Sequence, residues 1–471
     1  MSETVSFTRK IPVRHTVDVF VAGGGPAGVA AAVTAAHQGR SVYLAEGHTC
    51  FGGMGTAGLV PAFMQFTDHV NFLAGGFGKE IHDRLFEANG AGPYDKRDSD
   101  WGGMCIKAEV LKRVYDDMTL ECGMAFTFQT QMIGVEVEDG TVTCAICAAK
   151  SGVFAVKANI FIDCTGDGDL AAWAGAPFEK GDANGNLMPG TLCSLWCGID
   201  WPIVRARNPW AEPFILKAIE EGRTKIKDRH HPGIWAVGHG LGGGNIGHTF
   251  GVDATDERSL TKALIEGRRM MIDFEEFYKE FLRGYDNLQL VATGSLLGVR
   301  ETRRIMGDYV LCLDDFHKRA TFDDEIGRYA YPVDIHPSSP DIKTFKAFQE
   351  EFKALRYQPG ESYGIPYRTL IPRKLNNVLV AGRCISADRY IQGSIRVMPG
   401  CYITGQAAGV AAAIAVDRKT GTRQVPITEL QARLKKIGGY LPNAPAVTVE
   451  IPVPQLKPVQ PVQQPQKPAE S

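Results

Sequence analysis

The chain has 471 residues, more than one compact core usually supports, so two or three domains are expected. Hydrophobic residues make up 44 % and charged residues 22 %, as in a globular protein, and a formal net charge of −2 gives no electrostatic drive toward nucleic acid or an anionic membrane. The 11 cysteines are odd in number and scattered, the opening MSETVSFTRKIPVRHT lacks the apolar stretch of a signal peptide, and no unbroken apolar run reaches the ~18–20 residues of a membrane span, so free thiols, a cytoplasmic location and no membrane insertion are expected.

In chain order, VDVFVAGGG (17–25) reads as a buried strand running into glycines. PAGVAAAVTAAHQG (26–39) reads as an Ala-rich helix closed by Gly39, and SVYLAEG (41–47) as a second strand. Residues 48–60 are a Gly-rich loop, and 79–89 and 107–122 have helical periodicity. Residues 125–165 alternate with period two around a turn at 138–140, which predicts a β-meander feeding the strand NIFIDCTG (159–166). From about 171 to 293 the βαβ rhythm stops, Trp, His and Gly cluster, and one clear helix is expected over 257–282. Residues 294–313 return to helix and strand, NNVLVAG (376–382) is another buried strand, 399–416 a small-residue helix, and 426–437 a last amphipathic helix. The Pro/Gln-rich end cannot bury a core and reads as disordered. The expected division is 1–170, 171–293 as a cap, 294–440, and a tail over 441–471.

The pattern GxGxxG occurs at Gly23-Gly25-Gly28, at Gly53-Gly55-Gly58, at Gly238-Gly240-Gly243 and at Gly242-Gly244-Gly247. Only the first follows an apolar strand, opens an apolar helix and has an acid, Glu46, 23 residues after its first glycine. There Gly23 would make the tight turn, Gly25 would admit a pyrophosphate to the backbone, and Gly28 would let helix and strand close up. Glu46 would accept hydrogen bonds from a ribose. The other three matches read as loop glycines.

The segment DVFVAGGGPAGVAAAVTAAHQGRSVYLAEGHTCFGGMGTAG resembles the N-terminus of FAD-dependent oxidoreductases of the glutathione-reductase-like superfamily. IDCTGDGDLAAWAG (162–175), RETRRIMGDYVL (300–311), YGIPYRTLIP (363–372) and the block 377–413 continue that resemblance in order, to about residue 440. It implies an α/β fold, with a Rossmann-like FAD-binding domain carrying an inserted β-meander, and a mixed α+β substrate or cap domain. It implies FAD as cofactor, with Gly23, Gly25, Pro26, Ala27, Gly28, Glu46, Gly53, Asp167, Gly382 and Met398 as its contacts. The helix starting near Pro399 would turn its positive end toward the flavin.

For the chemistry, the histidines 230, 231, 239 and 248 lie in the cap, and His239 and His248 stand among glycines that would let the chain approach the cofactor. Arg300, Arg303 and Arg304 offer one anchor for a carboxylate or phosphate, or ion pairs with Glu301 or Asp308. Arg389 follows the last flavin strand where the family pattern carries a histidine, and reads as an anion anchor. The catalytic candidates are thus His239, His248, Arg300 and Arg389. Cys144 and Cys147 lie three apart on a strand and do not suit a redox pair, and no ligand spacing for a metal is present. The reaction expected is hydride transfer from a small alcohol, amine or related substrate to the flavin. A reductase of an activated double bond and a non-enzymatic electron carrier are the alternatives. A small-molecule substrate is the expected partner, with a homo-oligomer or a protein electron acceptor left open.

Overall fold

The computed structural model describes residues 5, 8–91, 103–207 and 210–445. Strand β1 (Val13–Ala22) is solvent-touched at its start and buried from Val19 on, where its apolar run lies between two neighbours. Helix α1 (Pro26–His37) follows at once, and β2 (Val42–Ala45) returns parallel to β1 with Val19 opposite Val42 and Ala22 opposite Ala45. This is the βαβ unit the glycine motif predicts.

The segment 125–138 differs from a simple meander. β3 (Ala125–Thr127) leaves it and pairs parallel with β2, while β4 (Gln131–Glu138) and β5 (Thr141–Ala149) form the hairpin, turning at Asp139 and Gly140. β6 (Gly152–Asp163) pairs antiparallel with β5 through its first half and parallel with β1 along nearly its whole length. β7 (Val378–Val380) arrives from more than 200 residues away and adds parallel to the end of β6. The chain therefore closes one mixed sheet from both of its ends.

Helix α2 (Met398–Arg418) lies across α1. A Cβ at Gly405 would stand 2.3 Å from the Ala27 carbonyl oxygen, and one at Gly409 would stand 2.4 Å from that of Ala31, so the two backbones touch where only hydrogen fits. By length and composition α2 alone among the described helices could cross a bilayer, yet 94 % of its apolar stretch is buried inside the protein. Its apolarity serves the core.

A second apolar core gathers around Trp196, Ile234, Phe274, Phe277 and Tyr278. It is built by a four-stranded antiparallel sheet, in the order Gly233–Gly238, Leu241–Asn245, Ser194–Cys197, Gln289–Thr293, backed by the helix Glu257–Phe281. The sequence shows that helix and hides the sheet. The strand LGGGN (241–245), expected as loop, has no alternating side chains at Gly242, Gly243 and Gly244, where Ile199, Ile234, Pro61, Ser194 and Trp196 occupy the space a Cβ would need. The 11 cysteines are all free. Of the expected tail, Leu441 is instead buried against the core, and residues 446–471 lie outside the described residues.

Candidate active site

The parallel strands end in register, with Ala22, Ala45, Thr127, Asp163 and Val380 side by side. The loops leaving that edge line a cavity of about 1160 Å³, larger than the ~300–1,000 Å³ typical of small-ligand sites. At one end Glu46 is buried, its Oε2 accepting from the Gly24 amide at 2.6 Å and its Oε1 from the His48 amide at 2.7 Å. Each oxygen keeps a further lone pair for a ligand. Gly25, the N-cap of α1, makes no side-chain cap, and a Cβ there would meet nothing within 4 Å. The helix thus presents uncapped amides to open space, a natural seat for a phosphate. Gly28 faces away, where a Cβ would stand 1.8 Å from the Gly23 carbonyl oxygen. Midway, Arg383 pins three loops together, donating to Gly166 O at 3.0 Å, to Asp167 Oδ1 at 2.7 Å and to Val299 O. Beyond it, α2 also begins without a side-chain cap, and Val397 and Met398 line the wall.

The far end is polar and buried. Arg300 donates from Nη1 to Pro189 O and to Thr191 Oγ1, both at 2.9 Å, and forms no ion pair within 4.0 Å among the described residues. Burial, with Arg396 nearby, lowers its pKa to about 10, so it stays cationic at neutral pH. His336 Nδ1 lies 2.9 Å from His248 Nε2, and its Nε2 lies 3.2 Å from Asp334 Oδ2. Asp334 is also held by Arg396 at 3.1 Å. His248 Nδ1 in turn lies 3.2 Å from Asp228. His230 stacks on His248 with centroids 5.3 Å apart and meets His336 edge-on. Burial lowers the pKa of all three imidazoles, that of His336 to about 3. Burial alone would raise both carboxyls, but His248 beside Asp228 brings it to about 2, and His336 with the two arginines holds Asp334 well below the usual range.

A family model described as FAD dependent oxidoreductase matches residues 18–434. The chain belongs to the FAD-dependent oxidoreductase family. Comparison with curated proteins yields no match. Among solved structures, a geranylgeranyl bacteriochlorophyll reductase-like protein from Thermoplasma acidophilum is similar over 90 % of this chain and 83 % of its own, at 14 % identity and a TM-score of 0.45. The p-nitrophenol 4-monooxygenase of Pseudomonas putida is similar over 89 % and 86 %, at 12 % identity and 0.42. The myxobacterial chondrochloren halogenase, a variant of FAD-dependent halogenases, covers 89 % and 79 % at 12 % identity and 0.45.

The residues present fit FAD. A flavoenzyme of this family needs an acceptor for the ribose, amide donors for the diphosphate and a polarising group at the ring. The cavity offers Glu46, the uncapped start of α1 and the uncapped start of α2 in that order. Removing the carboxylate in Glu46→Ala deletes a charged acceptor, and FAD affinity is expected to fall about 10–100-fold, for a loss of about 1.5–3 kcal/mol. Flavin absorbance after dialysis reads this directly, and full retention would count against Glu46 as the ribose partner.

The cavity brings together Gly23, Gly25, Pro26, Ala27, Glu46, Gly53, Asp167, Gly382 and Met398. Gly28 stands behind them. Asp167 has its Oδ1 occupied by Arg383 and by Thr302 Oγ1 at 2.7 Å. Of the catalytic candidates, Arg300 lines the cavity, and His248 reaches it only through His336. His239 is a correction: it is exposed on the turn between the strands 233–238 and 241–245, outside the cavity. Arg389 is another. Its Nε pairs with the buried Glu301 at 3.2 Å, and it does not line the cavity. Glu301 also takes Arg304 at 2.7 Å, and Asp169 takes Arg303 at 2.6 Å, so within the Arg segment Arg300 is left for the cavity. His239→Ala is therefore expected to leave flavin content, stability and turnover unchanged, within about 0.5 kcal/mol. A substantial loss in a turnover assay would return that histidine to the site. His336, Asp334, Arg396 and Arg383 were not anticipated. DIHPSS (334–339) has no period or motif, and its partners Arg396 and His248 lie 62 and 88 residues away in sequence.

Proposed function

We propose that this flavoenzyme oxidises a small organic substrate, an alcohol, amine or related C–H compound, held between the start of α2 and the Arg300–His336 end of the cavity. The supporting observation is continuity: one cavity runs from Glu46, past the uncapped end of α2, to Arg300, His230 and His336. FAD supplies the two-electron chemistry when bound. Arg300 anchors an acidic or carbonyl oxygen with a guanidinium that no carboxylate among the described residues neutralises directly. His336 and His248 are each backed by a carboxylate and face each other at 2.9 Å, so they form one polar unit whose His336 end lines the cavity beside the substrate. Met64, Val60 and Leu296 are part of the cavity's apolar lining, which would keep water from the reacting carbon.

Arg300 also suits a second reading, reduction of a double bond next to a carboxylate. The test separates them. The purified yellow protein is mixed anaerobically with panels of hydroxy acids, alcohols and amines. Bleaching of the flavin band by one of these supports oxidation. Silence toward all of them, with rapid reoxidation of dithionite-reduced enzyme by an enoate, overturns it in favour of the reductase.

A further inference from the structure

We infer that His230, His248 and His336 form a binding site for a divalent transition-metal ion, of the zinc or ferrous type, at the substrate end of the cavity. The nitrogens these three residues offer all lie within 4.8 Å of one another. Sequence spacing gave no hint of it, since the ligands come from three separate segments.

The hydrogen-bond pattern carries the inference. A neutral imidazole has one N–H and one lone pair. His248 turns Nδ1 to Asp228 at 3.2 Å, and His336 turns Nε2 to Asp334 at 3.2 Å. An ionised carboxylate only accepts, so each imidazole places its N–H there. That leaves His248 Nε2 and His336 Nδ1 facing each other at 2.9 Å, both as lone pairs. Two lone pairs at that distance repel unless a cation lies between them. His230, stacked on one ring and edge-on to the other, closes the third side.

The arrangement matches what a metal site requires. Ligands bound at about 2.0–2.1 Å in a tetrahedron stand about 3.3 Å apart, so the His248–His336 pair needs to open by only a few tenths of an ångström. Carboxylates behind two of three imidazoles fix their tautomer and raise their basicity, as at established zinc sites. His230 and His336 line the cavity, so the fourth position opens toward the substrate, as catalytic sites require. Asp228 and Asp334 balance the charges of Arg300 and Arg396, and the added dication would be met by an anionic or readily ionised substrate oxygen. Only this last use rests on the oxidation reading; the binding itself does not.

The test uses the FAD-loaded protein. It is equilibrated with Zn²⁺, passed through metal-free buffer, and its metal and flavin are counted by elemental analysis and absorbance. About one zinc per chain is expected in the wild type. His230→Gln, which leaves the Asp228–His248–His336–Asp334 chain untouched, and His336→Gln should each lose it while keeping flavin. Asp334→Asn should weaken Zn²⁺ binding about 10–100-fold. Wild-type protein that holds no stoichiometric zinc, iron, cobalt or manganese, or zinc retained equally by His230→Gln and His336→Gln, overturns the site. A proton shared between His248 and His336 would then be the cation. Flavin bleaching by substrate is read separately, so failure of the metal site and failure of the oxidation reading are distinguishable.

Discussion

Gly405→Val is expected to give a protein that loses FAD on dialysis and whose apoprotein is less stable by about 3 kcal/mol or more. The position is a backbone-to-backbone contact. The first added carbon would stand 2.3 Å from the Ala27 carbonyl oxygen and 2.9 Å from its Cα, so no flexible side chain can move aside. The helices must part by an ångström or more, and α2 is buried at every residue from Met398 to Ala415, with no slack around it. The displacement reaches function directly. Both helices begin at the cavity wall, α1 at Pro26 and Ala27, α2 at Met398, and the uncapped amides of the two must converge on one cofactor. Denaturant unfolding and retained flavin absorbance measure the two effects. A variant with wild-type midpoint and full flavin would show that the crossing is not what sets the cavity.

What the chain revealed beforehand follows from how far apart the cooperating residues are. Gly23, Gly25, Gly28 and Glu46 lie within one βαβ unit, so their spacing is dictated by strand and helix length and is readable as spacing. α2 was readable as a small-residue helix, but its contact with α1 was not, because nothing in 398–418 names Ala27 and Ala31 as the surface it meets. The polar end was the least legible. Asp228, His248, Asp334 and His336 meet from segments about 20 to 100 residues apart, and only folding makes them neighbours. His239 attracted notice for its glycine surroundings, but Gly242 and Gly244 answer to Ile234 and Trp196 in the second core rather than to a cofactor. The Arg segment illustrates the same limit. Arg303 and Arg304 are consecutive on a strand and point to opposite sides, toward Asp169 and Glu301, while Arg300 lies before that strand and turns to the cavity.

For Arg300→Ala the expected result is a KM for the oxidised substrate raised about 100-fold or more, with kcat less affected and flavin content unchanged. The magnitude comes from a charge-assisted hydrogen bond in a buried site, about 1.5–3 kcal/mol each, with two available from a guanidinium fork. The protein itself asks little of Arg300: one terminal nitrogen serves Pro189 O and Thr191 Oγ1, and among the described residues no carboxylate takes it as a direct partner. Arg304, its neighbour in sequence, is committed at 2.7 Å to Glu301 and donates further to Gly181 O at 3.1 Å, which is how an arginine held for structure looks in this fold. Asp228 and Asp334 offset its charge without forming an ion pair with it among the described residues, and on the proposed reading an acidic or carbonyl oxygen of the substrate supplies the missing direct partner. Arg300→Lys keeps the charge but not the fork, and should recover part of the KM without restoring it. If instead kcat falls as far as kcat/KM while KM holds, Arg300 acts on the reacting atoms rather than as an anchor. If neither changes, the substrate lies elsewhere in the cavity, and the polar end around Arg300 and His336 is structural.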